Sequence, residues 1–347
     1  MQKIMVGMSG GVDSSAAALL LCREGYEVCG LTLRLKDDGA AEKDIADAAA
    51  VAEKLGIEHR VLDLREFFRR TVIADFADEY RSGRTPNPCI VCNNTVKFGK
   101  MLDYALEEGF DGIATGHYAR IGRGAEGRAL LQRSESPKDQ SYFLYGLTPF
   151  QLEHSLFPLE ACESKEQIRL LCEKANLPTA HRGDSQEICF VPQDDYVAFL
   201  EGMGVAAAPG DFVNTRGEVI GRHGGLIRYT VGQRKGLGAF GKPMFVTALQ
   251  PQTNTVVLGE EGSQYCRGLI ADKPNWIAAD SLPAELTAQV KIRYRAKPAP
   301  ARITPLPDGR FQVMFFEPQR SVTPGQAAVI YEENTVLGGG RIIAQIP

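Results

Sequence analysis

The chain has 347 residues, more than one typical domain holds, and 44% hydrophobic against 24% charged residues marks a soluble globular protein, not a disordered or fibrous one. No apolar run approaches the ~20 residues that a membrane span needs, and Met1 leads almost directly into a strand pattern, so the expectation is a cytoplasmic protein with neither leader nor anchor. A net charge of −4 argues against indiscriminate wrapping of nucleic acid but leaves room for a local basic surface. Eight cysteines in such a compartment point to core, metal or catalytic roles, not to a disulfide framework.

Residues 3–8 (KIMVGM) read as a short buried parallel strand and residues 16–22 as an Ala/Leu-rich helix. Between them lies Ser9-Gly10-Gly11-Val12-Asp13-Ser14-Ser15. At a strand-to-helix turn the first amides of the helix lack intrahelical partners and face outward as an anion site. Gly10 and Gly11 allow positive φ and close backbone approach, the three serines add hydroxyls, and Asp13 can hold Mg²⁺ against phosphates. No Lys follows the glycines, which sets the loop apart from the P-loop of enzymes that transfer a γ-phosphate. It resembles the loop of the PP-loop adenylating superfamily, which splits ATP between the α and β phosphates.

The alternation continues with a strand at 27–33, a helix at 44–55 closed by Gly56, a strand at 57–62 and an amphipathic helix through Phe68, Val72, Ile73, Phe76 and Tyr80. A helix carrying Phe98, Met101, Leu102, Ala105 and Leu106 then feeds a strand at 112–115. This predicts a doubly wound parallel α/β sheet with ligands beyond the strand ends, where Gly7, Leu33 and Gly116 fall. Thr148-Pro149 starts another helix, and Ser164 with Gln167 forms a capping box for the next. Past residue 194 short alternating runs take over. The expected division is 1–193 as the ATP-binding and catalytic domain, 194–266 as a small β-rich central domain and 267–347 as a C-terminal β-barrel.

Chemistry concentrates in two cysteine segments, residues 84–93 (RTPNPCIVCN) and 184–190 (DSQEICF). The prolines of the first are expected to stiffen an extended loop that presents a thiol at a fixed place. A C-x-x-C pair alone serves zinc, redox and iron–sulfur sites alike. Cys22, Cys29, Cys162, Cys172 and Cys266 sit in apolar strand or helix patterns and read as core. Lys291, Arg293, Arg295 and Lys297 alternate along a predicted strand and would share one face, either as an RNA-facing stripe or as a solvated barrel face.

SGGVDSS, RTPNPxxxCN, ATGHYA at 114–119, SPKDQSYFLYGL at 136–147, GDSQEICF and TVGQRKGLG at 230–238 resemble, in order and spacing, the tRNA-specific 2-thiouridylases. That resemblance covers nearly the whole chain. It implies ATP- and Mg²⁺-dependent replacement of the C2 oxygen of the tRNA wobble uridine by sulfur, fed by a persulfide or sulfur-carrier protein. By matching positions, Gly7, Met8, Ser9, Gly10, Gly11, Val12, Asp13, Ser14, Leu33 and Gly116 would contact ATP, with Asp13 assisting the metal. Cys189 would carry the persulfide, and Cys92 would be the nucleophile that attacks it, leaving a Cys92/Cys189 disulfide. Asn87, Pro88, Cys89, His117, Lys138, Asp139, Gln140, Arg293, Tyr294 and Gln326 would contact tRNA. The chain departs from the family at Cys89, where Asp is commoner, and at Leu33, where Met is common. Three thiols therefore leave two further readings open: a [4Fe–4S] cluster on Cys89, Cys92 and Cys189, or a Cys₃His zinc site using His181. Outside the family, an amide-forming PP-loop synthetase and a non-enzymatic ATP- and RNA-binding sensor stand as alternatives.

Overall fold

A computed structural model of the protein describes residues 1–183 and 188–347. They form two units, one of Met1–Val72, Cys89–Gln186 and Asn334–Leu337, the other of Ile73–Pro88, Glu187–Glu333 and Gly338–Pro347. Among the described residues, no helix is long and apolar enough to cross a membrane.

In the first unit, five strands lie in the order Glu58–Asp63, Glu27–Arg34, Lys3–Gly7, Gly112–Ala114, Ser155–Leu156, and every neighbouring pair is parallel. The first strand is central, and the chain order reverses on either side of it, which opens a crevice beyond its C-terminal end at Gly7. Ile4 and Val6 pack with Val12, Ala16, Ala17 and Ala18 of the following helix, Val12–Arg23. Ile168 and Cys172 of the helix Lys165–Lys174 join the same core. Alanines on the contact face bring these elements close.

The strands predicted in this unit are present, with small shifts at their ends. The second helix starts at Gly39, five residues before the expected 44, because the Asp38 side chain accepts from the Ala41 amide at 2.8 Å and caps it there. Gly56 ends that helix with φ 69°. The two-residue strand Ser155–Leu156 was too short to leave a periodic signal.

One expectation is overturned around the first cysteine segment. Cys89 and Cys92 are not on an extended loop: Pro88–Cys92 is helical and runs on through a wide-turned π stretch, Asn93–Lys100, into Met101–Glu107. Pro88 stands at the first helical position, where its fixed φ and missing N–H suit the start of a helix. Of the second cysteine segment, residues 184–187 lie outside the described residues.

The second unit holds a four-stranded sheet in the order Met244–Gln250, Thr255–Glu260, Gly210–Asn214, Val219–His223. Its core is Phe212, Tyr229, Leu237, Met244, Val246, Val256 and Leu258. A six-stranded closed barrel follows, Tyr265–Trp276, Phe311–Arg320, Ala299–Pro305, Leu286–Lys291, Ala327–Glu332 and Thr335–Ile346, with the last strand pairing back onto the first. The basic stripe expected along residues 291–297 does not form. The strand ends at Lys291, and the Ala296 amide donates to Arg293 O at 3.1 Å in a turn. Pro298, which has no N–H to give a ladder, follows the turn before the next strand begins at Ala299.

Candidate active site

The glycine loop opens directly into the helix Val12–Arg23, whose N-cap residue, Gly11, makes no side-chain cap. Gly10 has φ 67°, and a Cβ there would lie 2.6 Å from Asp44 O, so the position requires glycine. The hydroxyls expected to face a ligand instead hold the loop. Ser14 Oγ donates to Gly11 O at 3.0 Å, Ser15 Oγ donates to the same carbonyl at 2.9 Å, and Ser9 Oγ lies 3.3 Å from Ser14 Oγ. Arg182 Nη1 donates to Gly10 O at 2.8 Å while its guanidinium pairs with Asp44 and Asp47. These bonds leave the helix's N-terminal amides without a side-chain cap, and the dipole there favours an anion.

Met8 is tied to the second strand through its amide to Leu31 O and through Thr32 Oγ1 to its carbonyl, both at 2.8 Å. Leu33 sits near the end of that strand. A Cβ on Gly116 would fall 2.8 Å from Asp13 C and 2.9 Å from Ser14 N. Gly116 therefore lets the end of the fourth strand close onto the helix start.

Asp13, in the first helical turn, is doubly held. Tyr118 Oη donates to Oδ1 at 2.7 Å, and Lys165 Nζ donates to Oδ2 at 2.5 Å. Lys165 is 7% exposed and Asp13 about a third exposed. Tyr118 lies within the ATGHYA motif, and Lys165 reads from sequence only as the first residue of an amphipathic helix, with nothing to reveal its partner. Mg²⁺ takes one or two carboxylates and fills its remaining positions with phosphate oxygens and water, so the single carboxylate of Asp13 at the mouth of the loop fits it.

Several expected tRNA contacts make internal bonds. Gln140 accepts from the Tyr118 amide at 3.0 Å and gives its own amide to Tyr118 O at 2.7 Å, bracing the tyrosine that holds Asp13. Asp139 accepts from Ser134 N and Ser141 N, both at 3.2 Å, and from Ser141 Oγ at 2.8 Å. Lys138 is exposed. His117 Nδ1 lies 2.7 Å from Thr115 Oγ1 between Phe98 and Phe157, and burial, then Lys97, hold its pKa well below the ordinary value, so the ring is neutral. Burial also pushes up the thiols of Cys22, Cys29, Cys162, Cys172 and Cys266, with Cys29 and Cys172 at about 11. Cys29, Cys172 and Cys266 are buried core thiols, while Cys22 and Cys162 are half-buried.

Cys89 is exposed and Cys92 buried, one helical turn apart. Two thiols at i and i+3 occupy one side of a helix and fit two corners of a metal centre. Among the described residues, no three His, Cys, Asp or Glu side chains are grouped to hold a metal ion. His181, the fourth donor of the zinc reading, lies on the surface 3.6 Å from Glu173.

In the second unit, Cys189 is exposed beside Phe190, which is buried against Phe76 and Phe199 at centroid distances of 5.3 and 5.5 Å. Asn87 is half-buried between the buried Pro86 and Pro88. Arg293 Nη2 donates to Val231 O at 2.8 Å and also to Thr323 Oγ1. Lys291 Nζ stands 5.4 Å over the Tyr294 ring. Gln326 Nε2 donates to Thr85 O at 2.8 Å.

A parallel sheet whose central strand turns through glycines into a helix without a side-chain cap, with the carboxylate of Asp13 at the turn, defines an ATP-utilising enzyme of the PP-loop class. Three family models match the chain: "tRNA methyl transferase HUP domain" over residues 2–193, "tRNA methyl transferase PRC-barrel domain" over 198–260 and "Aminomethyltransferase beta-barrel domain" over 266–342. It is similar to the tRNA-specific 2-thiouridylases MnmA of Pelobacter propionicus, at 47% identity over 99% of this chain and 98% of that one, and of Desulfitobacterium hafniense, at 48% over the same shares. The chain belongs to the tRNA-specific 2-thiouridylase family. Among solved structures it is similar to the U34-tRNA thiolase NcsA of Methanococcus maripaludis with its [4Fe-4S] cluster, at 18% identity and TM-score 0.36, over 58% of this chain and 64% of that one.

Proposed function

We propose that this protein replaces the C2 oxygen of the wobble uridine of tRNA with sulfur, at the expense of ATP, in the cytoplasm. The observation that carries the reading is a pyrophosphate-type loop with Asp13 at its mouth in a chain 47% identical to a named 2-thiouridylase across its length. The family-model descriptions speak of methyl transfer. The residues favour thiolation, because a loop built for pyrophosphate serves adenylation, and adenylation is what turns an amide-like oxygen into a leaving group.

In this reading, residues 1–193 bind ATP and perform catalysis, 194–266 form a central module, and 267–347 receive tRNA. ATP lies against residues 7–14, Leu33 and Gly116. Mg²⁺ held through Asp13 offsets phosphate charge. The uridine oxygen attacks the α-phosphorus, pyrophosphate leaves, and AMP stays on the base. Cys92 then attacks the outer disulfide-like bond of a Cys189 persulfide, a Cys92–Cys189 disulfide forms, and the released hydrosulfide adds at C2 and expels AMP. A thiol reductant resets the pair, and a persulfide-bearing carrier protein reloads Cys189. Asn87, Pro88 and Cys89 lie near the target base, while His117, Lys138, Asp139, Gln140, Arg293, Tyr294 and Gln326 shape or line the tRNA surface. For most of these the internal bonds described above favour shaping.

The test is reconstitution with purified protein, unmodified tRNA, ATP, Mg²⁺ and a persulfide donor, followed by nucleoside mass spectrometry. AMP and 2-thiouridine should form in equal amounts. Pyrophosphate release without tRNA, and no thiouridine, would favour an amide-forming synthetase; nucleotide binding without AMP would favour a sensor.

A further inference from the structure

The motif at residues 230–238 (TVGQRKGLG) takes no part in the adenylation or thiol steps, and it carries two exposed cations, Arg234 and Lys235. We infer that this loop is an RNA phosphate-binding site, at which Arg234 and Lys235 grip the sugar–phosphate backbone of the tRNA beside the target uridine. The inference rests on the thiolation reading and adds a contact to the tRNA-facing residues named above.

The charge pattern singles out the pair. Residues 194–260 hold four other cations, and each has a carboxylate: Arg216 meets Glu218 at 3.0 Å, Arg222 meets Asp211 at 3.3 Å, Arg228 meets Glu201 at 2.8 Å and Lys242 meets Glu260 at 2.5 Å. Among the described residues, Arg234 and Lys235 meet none. From Tyr229 to Gly259 the chain has no Asp or Glu, so nothing in this stretch offsets their positive potential.

The two cations stand on fixed backbone. Just before them, Gln233 Oε1 accepts from the Thr230 amide and its Nε2 donates to Lys235 O, both at 3.0 Å. The Gln233 carbonyl accepts from the Val246 amide at 3.0 Å, and the Gly232 amide donates to Val246 O at 2.7 Å. Just after them, Leu237 is buried with Phe212 and Val246. Gly232, at φ 88°, would drive a Cβ into Ser321, so only glycine seats the loop here. Little backbone freedom is left to lose when the pair takes a ligand.

Position selects RNA. Thr85 Oγ1 donates to Thr230 Oγ1 at 3.1 Å, and Arg293 Nη2 donates to Val231 O at 2.8 Å. The root of the loop is thus bonded to the residue that leads into Pro86-Asn87-Pro88. A base drawn out of its stack toward that segment brings its flanking phosphates with it. The guanidinium offers a planar fork and the ammonium a mobile point charge, which suit neighbouring phosphates and read no sequence. An RNA strand presents a phosphate at every nucleotide, whereas an acidic protein needs carboxylates placed to match both cations.

The experiment titrates binding of an unmodified tRNA transcript to the full chain against NaCl. It compares wild type, Arg234→Gln/Lys235→Gln, and a control that removes two paired cations of the same module, Arg222→Gln/Lys242→Gln. The loop variant should bind about tenfold or more weakly near physiological salt, with a log–log slope shallower by about 1.4–1.8, the share of two phosphate contacts. The control should keep the wild-type slope, and both variants should bind α,β-methylene-ATP as wild type does. A loop variant with wild-type slope and affinity would overturn the proposal. So would an equal shift in the control, which would reduce the effect to net charge. Thiolation lost only when a carrier protein, not a small-molecule persulfide, supplies sulfur, with the tRNA slope intact, would assign the loop to that protein and overturn the RNA site. If the wild type binds no tRNA, the thiolation reading itself falls; if wild type and loop variant bind tRNA alike, only this site does.

Discussion

Gln326 holds Thr85: its Nε2 donates to the Thr85 carbonyl at 2.8 Å, 241 residues away in sequence. The Thr85 amide donates to Pro324 O at 2.9 Å, and Gly325, at φ 94°, would place a Cβ 2.7 Å from Thr85 O. Both backbone groups of Thr85 are thus fixed by one turn, and the chain enters Pro86-Asn87-Pro88 in a set direction.

Gln326→Ala removes one of these ties and should lower kcat for thiolation with little change in ATP affinity. The carbonyl left behind costs about 1–3 kcal/mol if it stays dry. Gly325→Ala, which adds a clash and a strained φ, should be worse. Steady-state kinetics beside nucleotide titration check this, and a parallel loss of ATP binding would refute a role confined to the loop.

Glu79 is 4% exposed and accepts from Arg84 at 2.6 and 2.8 Å and from Arg341 at 2.8 Å; Arg341 also reaches Asp75 at 3.1 Å. Burial works against the charged form, but Arg84 and Arg341 outweigh it and hold the Glu79 pKa below the ordinary carboxylate value. A lowered folded-state pKa contributes stability that is present above the unfolded-state pKa and lost as pH falls through the folded-state one. Glu79→Ala should cost about 3–5 kcal/mol at neutral pH because Arg84 loses its carboxylate and Arg341 keeps only Asp75. Glu79→Gln should flatten the acid limb of the stability curve. Chemical denaturation across pH, unchanged in shape for Glu79→Gln, would dismiss Glu79 as the titrating group.

Arg293 was expected on an exposed stripe, and its guanidinium instead ties Val231 O to Thr323. Arg293→Ala should therefore lower the melting temperature as well as weaken tRNA binding. If the side chain also reaches a phosphate, the log–log salt slope should fall by about 0.7–0.9. A salt titration with unchanged slope would confine Arg293 to supporting the loop.

Cys189→Ala should abolish persulfide loading and thiolation while AMP formation on tRNA persists, since the ATP loop is built from other residues. Cys89→Asp restores the commoner family residue, and without iron it should thiolate at near the wild-type rate. Iron content measured beside thiolation rate for wild type, Cys89→Asp and Cys89→Ala decides between thiol routes. Activity that scales with bound iron would replace the persulfide route with the cluster.

What the sequence determined by itself was local. The strand at Lys3–Gly7, the glycine turn, the helix after it, the αL stop at Gly56 and the cap at Thr148 each depend on backbone preferences of adjacent residues, and each is found. The family motifs added the cysteines. Tertiary structure alone decided which groups meet. Lys165 on Asp13, Tyr118 on the same carboxylate, Gln326 on Thr85 and Arg341 on Glu79 join residues 105 to 262 positions apart. A charged or polar side chain at the start of a helix or in a barrel loop has no periodicity that reveals its partner. The same limit explains the misread segments: Pro88 fits an extended loop and a helix's first turn equally well, and only packing chose the helix for Cys89 and Cys92. After Lys291 the alternation of charges reads as a strand, but a turn bond takes the backbone out of the ladder and Pro298 has no N–H with which to rejoin it.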